Sequence, residues 1–227
     1  MNTLRQRVES VEKRIRDAEQ AASRPSGGVR LLAVSKGHCP EALRALARQV
    51  QLLFEESSLQ DALYQQSELS AENLEWHFVG PVQSNKTRGI AEQFDWIQSV
   101  DRFKILKRLN MQRPEDLPPL NVCLQVNISG EAQKGGAAPE ELPDLARAAR
   151  EFDRLRLRGL MCIPAAGGDT EATRAAFRST RALYQALREE GHDLDTLSMG
   201  MSGDLEAAVA EGSTMVRIGT ALFGPRP

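Results

Sequence analysis

The sequence predicts an α/β fold: one eight-stranded parallel (β/α)8, TIM-like barrel with an extra helix at its N-terminus. Three observations lead there. Short apolar runs alternate with longer helix-patterned stretches, the order that builds a parallel sheet. Eight such runs occur, at 30–35, 51–54, 76–79, 95–98, 120–127, 155–161, 195–198 and 214–218. The chain has 227 residues, close to the ~250 usual for such a barrel. No linker or low-complexity tract divides it, so residues 1–227 read as a single domain. An open doubly wound sheet is the alternative architecture.

Leu4, Val8, Val11, Ile15 and Ala18 fall at helical spacing, so residues 2–22 form an amphipathic helix. Arg24-Pro25-Ser26-Gly27-Gly28 ends it. Helices are expected near 40–49, 58–68, 85–93, 102–110, 139–151, 170–190 and 203–210. Pro40, Pro139 and Asp101 stand where helix-starting chemistry belongs. The fourth strand, around Trp96-Ile97, is the weakest. No long helix follows the eighth strand, so the N-terminal helix is expected to cover part of that gap.

Charge nearly cancels, with 29 Lys+Arg against 31 Asp+Glu. That balance argues against nucleic acid as the main ligand. No stretch has the length of a membrane span, and the polar N-terminus does not read as a signal sequence. Cys39, Cys123 and Cys162 read as reduced thiols of a cytoplasmic protein. No His/Cys cluster has metal-ligand spacing. Lys104, Lys107 and Arg108 read as a solvated helix face.

In a barrel, chemistry collects at the carboxyl ends of the strands. The first ends in Ser35-Lys36. A desolvated lysine amine can attack a carbonyl. The seventh and eighth end in Ser198-Met199-Gly200-Met201-Ser202 and Arg217-Ile218-Gly219-Thr220. Small residues there let backbone N–H groups approach an anion, and these two loops often hold phosphate in such barrels. The plainer reading is turn chemistry, with a serine capping helix 203–210. Arg217 alternates with Val216 and Ile218, which turns it to the opposite face, where its guanidinium needs an acceptor such as a ring nitrogen. An amine, an anion cradle and an arginine for a ring nitrogen together describe pyridoxal 5′-phosphate. Arginine does not readily give up a proton, so such a ring would be a weak electron sink.

The same segments resemble the pyridoxal phosphate homeostasis protein family, the YggS/PROSC type. The blocks are Leu32-Ala33-Val34-Ser35-Lys36, Trp76-His77-Phe78-Val79-Gly80-Pro81, Gly159-Leu160-Met161-Cys162-Ile163-Pro164, Ser198-Met199-Gly200-Met201-Ser202-Gly203-Asp204 and Val216-Arg217-Ile218-Gly219-Thr220. The resemblance implies a monomer-like barrel of the alanine racemase N-terminal type (fold type III among pyridoxal phosphate proteins) with a Schiff base on Lys36. It implies phosphate contacts from Ser198, Ser202, Gly219 and Thr220, and Arg217 at the ring nitrogen. His77, Asn85 and Met161 match positions lining the family's pocket. The implied role is storage and delivery of the cofactor, with pyridoxal phosphate-dependent apoenzymes as partners. The chain departs from the family at the end of its second strand, where Phe-Gly-Glu-Asn-Tyr becomes Phe54-Glu55-Glu56-Ser57-Ser58. Glu55 is expected to add charge near the pocket rim.

Two other functions compete. A racemase needs proton exchange on both faces of the substrate; Tyr64 and Tyr184 both lie in helix-patterned stretches, away from strand ends. A cofactor-free interaction module is the third reading. Cys162 reads as a structural thiol, and Trp76 and Trp96 as core aromatics.

Overall fold

The computed structural model describes residues 3–49, 51–131, 134–165 and 170–224; Asn2 of the expected first helix lies outside them. Helix α1 spans Leu4–Ala21. Then follow β1 Arg30–Val34, α2 Pro40–Ala47, β2 Leu53–Glu56, α3 Leu59–Glu68, β3 Glu75–Phe78, α4 Thr87–Gln93, β4 Trp96–Val100 and α5 Phe103–Gln112. The second half comprises β5 Leu120–Val126, α6 Leu142–Arg150, β6 Leu155–Cys162, α7 Thr170–Glu189, β7 Thr196–Ser198, α8 Leu205–Ala210, β8 Met215–Ile218 and α9 Thr220–Phe223. Every strand pairs in parallel with its chain neighbours, and β8 closes on β1. The sheet is therefore a closed barrel, not an open one.

Helix α1 begins with a capping box. The Thr3 hydroxyl accepts from Gln6 N–H, and the Gln6 side chain accepts from Thr3 N–H, which satisfies two otherwise orphaned donors. Val8, Val11, Ile15 and Ala18 form one buried stripe. Burying each large apolar side chain contributes about 1.5–3 kcal/mol. The stripe packs α1 on α8 and on the single turn of α9, so the first helix does cover the short end of the barrel. Polar bonds fix the contact: Arg7 Nη1 donates to the Phe223 carbonyl at 3.0 Å, and Arg14 Nη2 to the Ser202 carbonyl at 3.0 Å. The buried Glu19 carboxylate accepts from Gly27 and Val29 N–H at 3.0 and 2.8 Å, tying the turn before β1 to the helix.

Strand β2 occupies Leu53–Glu56 rather than 51–54. Gln51 explains the shift. Its amide donates to the carbonyls of Leu31 and Leu53, so it closes the start of the strand as a side-chain plug. Glu55 then falls opposite Val34 of β1 and His77 of β3. Parallel partners project to the same side, so Glu55 points into the barrel and not to its rim. Strand β4, the weakest by sequence, is buried at every residue, and its register against β5 shifts between Ile97 and Val100. Asp101 does not cap α5; it pairs with Arg102 at 2.6 Å.

Two apolar regions result. The larger lies between the strands and the surrounding helices and includes Leu43, Ile90, Leu106 and Phe177. The smaller comprises Val79, Trp96, Cys123 and Met161. Trp96 is the register partner of His77, which places this second cluster inside the barrel. Gly159 permits the close approach of β6 to β7: a Cβ there would lie 1.7 Å from the Thr196 carbonyl oxygen.

Candidate functional site

At the carboxyl end of the strands a cavity of about 290 Å³ opens, near the lower end of the ~300–1,000 Å³ usual for small-molecule pockets. Lys36 enters it from the turn after β1, Glu55 from β2, Ser202 from the turn after β7, and Arg217, Gly219 and Thr220 from β8 and its turn. The Lys36 side chain is 37% exposed. The amine near the N-terminal end and the turns near the C-terminal end thus share one cavity because β1 and β8 are neighbours in the closed barrel.

The turn after β7 depends on Gly200. Its φ is +98°, and a Cβ there would meet Ala208 Cβ at 2.5 Å. The bend lets the Gly200 carbonyl accept from Arg217 N–H at 2.9 Å. Ser202 is not the cap of α8. Asp204 takes that place, its Oδ1 accepting from Met201 N–H at 2.5 Å. The Ser202 side chain is left to line the cavity.

Arg217 is buried and firmly held. Nη1 donates to Ser198 O and Oγ, both at 2.9 Å, and Nη2 to the Cys162 carbonyl at 2.9 Å. Nε faces Glu55 Oε2 at 3.9 Å, beyond hydrogen-bond length. The Ser198 hydroxyl also donates to Gln98 Oε1 at 2.6 Å, and Gln98 Nε2 lies 2.8 Å from His77 Nδ1. His77 Nε2 lies 2.8 Å from Glu75 Oε1, which also accepts from Arg30 Nη2 at 2.5 Å. A continuous polar chain therefore crosses the lumen: Arg217, Ser198, Gln98, His77, Glu75, Arg30. One neutral tautomer of His77, with its proton on Nε2, satisfies both of its contacts. Burial lowers the His77 pKa, which favours that neutral form. Burial pushes Glu75 up, but hydrogen bonds from His77 and Arg30 outweigh it and hold the carboxyl at about 2.

Of the nine residues singled out by sequence, Lys36, Ser202, Arg217, Gly219 and Thr220 line the cavity. Ser198 and His77 do not; both are fully buried beneath it, in the polar chain that holds Arg217. Met161 lines an adjoining cavity of about 470 Å³, which shares Val79 and Ile163 with the first. Asn85 is exposed in the turn before α4 and lines neither. Sequence reasoning missed Gln98, the link between Ser198 and His77. Its only signal was an amide two residues beyond Trp96, on the same face of the strand. It also put Glu55 at the rim, whereas Glu55 is 3% exposed.

The donor set fits a flat, phosphorylated aldehyde. An amine, an arginine Nε with no acceptor at hydrogen-bond length among the described residues and two small-residue turns face one another across a cavity of suitable size. Glu55 Oε2 has no hydrogen-bond partner among the described residues; a buried oxygen in that state calls for one. No group of three or more potential metal ligands occurs among the described residues.

Comparison with known proteins follows the same line. Residues 7–227 match the alanine racemase N-terminal domain. The chain is 55% identical over 226 residues to the pyridoxal phosphate homeostasis protein of Pseudomonas aeruginosa, covering 100% of this chain and 97% of that one. It is 45% identical over 229 residues to the protein of the same name from Escherichia coli K12, covering 100% and 98%. The structure of PipY from Synechococcus elongatus PCC7942 with pyridoxal phosphate bound superposes with a TM-score of 0.83 at 35% identity, over 98% of this chain and 100% of that one. The chain belongs to the alanine racemase N-terminal domain family, among its pyridoxal phosphate homeostasis proteins.

Proposed function

We propose that this protein binds pyridoxal 5′-phosphate through Lys36 and serves its storage and delivery to apoenzymes. The observation that carries the proposal is the meeting of Lys36, Arg217 and the turns at Ser202 and Gly219-Thr220 around one cavity. Its relatives' names and the ligand in the PipY structure support it. Bound there, pyridoxal phosphate supplies an electrophilic aldehyde conjugated to a pyridine ring. Lys36 offers the amine. Ser202, Gly219 and Thr220 offer hydroxyl and backbone groups to the anion. Arg217 offers a donor that stays in place, because Ser198 and Cys162 hold its other nitrogens.

The reading is of a carrier and not an enzyme. Racemisation calls for a second acid–base group opposite the lysine. Tyr64 is exposed on α3, and the Tyr184 hydroxyl is engaged with the Leu194 carbonyl at 2.8 Å. No helix is long and apolar enough, among the described residues, to cross a membrane. We further propose that it works in the cytoplasm as a monomer.

Protein mixed with pyridoxal phosphate should develop an absorbance band near about 420 nm, a property of lysine-bound cofactor. Borohydride should then fix the cofactor to the peptide that contains Lys36. An unchanged spectrum, or trapping that persists in Lys36→Ala, would defeat the proposal.

A further inference from the structure

We propose that Glu55 is the acid–base residue through which Lys36 takes up and releases its aldehyde. The inference rests on the cofactor reading above and extends it to how fast the cofactor exchanges.

The geometry is specific. Glu55 is 3% exposed and lines the cavity. Its Oε1 lies 4.0 Å from Lys36 Nζ, and its Oε2 lies 3.9 Å from Arg217 Nε. Each carboxyl oxygen therefore faces a different cation, and neither cation comes within hydrogen-bond length. The Oε2 atom has no hydrogen-bond partner among the described residues. Such a carboxyl is positioned by charge yet remains chemically free.

Neighbouring groups do not suit the task. Glu56 points to the other side of β2, where Ser35 Oγ donates to its Oε1 at 2.6 Å. His77, the register partner of Glu55 on β3, has both ring nitrogens engaged by Glu75 and Gln98. His38 also lines the cavity but stacks on Phe223, with ring centroids 4.4 Å apart. Arg217 cannot act as a base.

The proton balance closes without any further reactant. The Glu55 carboxylate takes a proton from the Lys36 ammonium. The freed amine bonds to the aldehyde carbon, and its second proton passes to the aldehyde oxygen. The Glu55 carboxyl returns its proton to that oxygen, which leaves as water as the carbon–nitrogen double bond forms. The carboxylate is restored, and the nitrogen keeps one proton and the positive charge. Release runs the same steps backwards. Burial pushes the Glu55 carboxyl up, against the pull of Arg217 and Lys36, which moves it toward the range useful for proton exchange near neutrality.

The test separates an acid–base group from a static counter-ion. Uptake is followed by stopped-flow absorbance after mixing cofactor-free protein with pyridoxal 5′-phosphate. Release is followed with alkaline phosphatase consuming the free cofactor. Borohydride quenching and peptide mass spectrometry count Lys36 adducts at each time. For Glu55→Gln, both rates should fall about tenfold or more while their ratio moves less than about threefold. In Glu55→Ala, added formate should restore both rates. Unchanged rates, or a shift in the ratio alone, would overturn the proposal and leave Lys36 binding intact. Absence of any Lys36 adduct in the wild-type protein would overturn this inference and the cofactor reading together.

Discussion

The Ser198 hydroxyl joins Arg217 to the interior of the barrel: it accepts from Arg217 Nη1 at 2.9 Å and donates to Gln98 Oε1 at 2.6 Å. Ser198→Ala leaves that buried amide oxygen without its donor. The expected cost is about 1–3 kcal/mol of stability, read as a lower urea midpoint. Cofactor affinity should fall as well, because Arg217 keeps only its two backbone acceptors. An unchanged midpoint would mean that the polar chain does not hold Arg217 in solution.

Acid should loosen the floor of the barrel through Glu75. Its folded-state carboxyl titrates near about 2, below its ordinary value. The stabilisation is present above the unfolded value and disappears as pH falls through the folded one. Unfolding free energy of the wild type should drop between about pH 4.5 and 2. Glu75→Gln should show a shallower drop over the same window, measured by urea titration at each pH. Equal slopes would contradict the His77–Glu75–Arg30 arrangement.

Glu56 should act with the opposite sign. Burial raises its carboxyl to about 7, above its ordinary value. The folded state holds this proton more tightly, so its contribution is complete at low pH and is lost as pH rises from about 4.5 to 7. The difference across that window is about 3 kcal/mol. Glu56→Gln should flatten the wild-type decline. A variant that declines in parallel with the wild type would rule this out.

Gly200→Ala should cost both stability and retention. The residue sits at φ +98°, and the new methyl would meet Ala208 Cβ at 2.5 Å. Strain of this kind costs about 1–3 kcal/mol, seen as a lower Tm. The displaced turn carries Ser202, so equilibrium dialysis should also show weaker binding of pyridoxal phosphate. A normal Tm would show that the turn relaxes freely.

The barrel was legible because period and order carry it. Val8, Val11, Ile15 and Ala18 announce their helix, and the alternation of runs announces parallel strands. Lys36 and Arg217 stood out because charged residues end or interrupt apolar strands. Glu55 and Gln98 were less visible for a shared reason. Each is a polar residue whose partners lie far away in sequence, so local pattern says nothing of its satisfaction. Gln51 shifted β2 by the same means: a side chain, not the backbone, closes the start of that strand. Glu56 shows the limit of charge as a surface signal, since it is buried and accepts from the Ser35 hydroxyl.

Strands β1 and β8 meet only when the first and last parts of the sheet come together. A molecule held at once by Lys36, just past the end of β1, and by Arg217 on β8 would act as a clasp across that seam. Loading should therefore slow any opening that begins there. A nascent polypeptide still lacking its final strand has the hook of this clasp but no eye, so capture must wait until synthesis has passed β8.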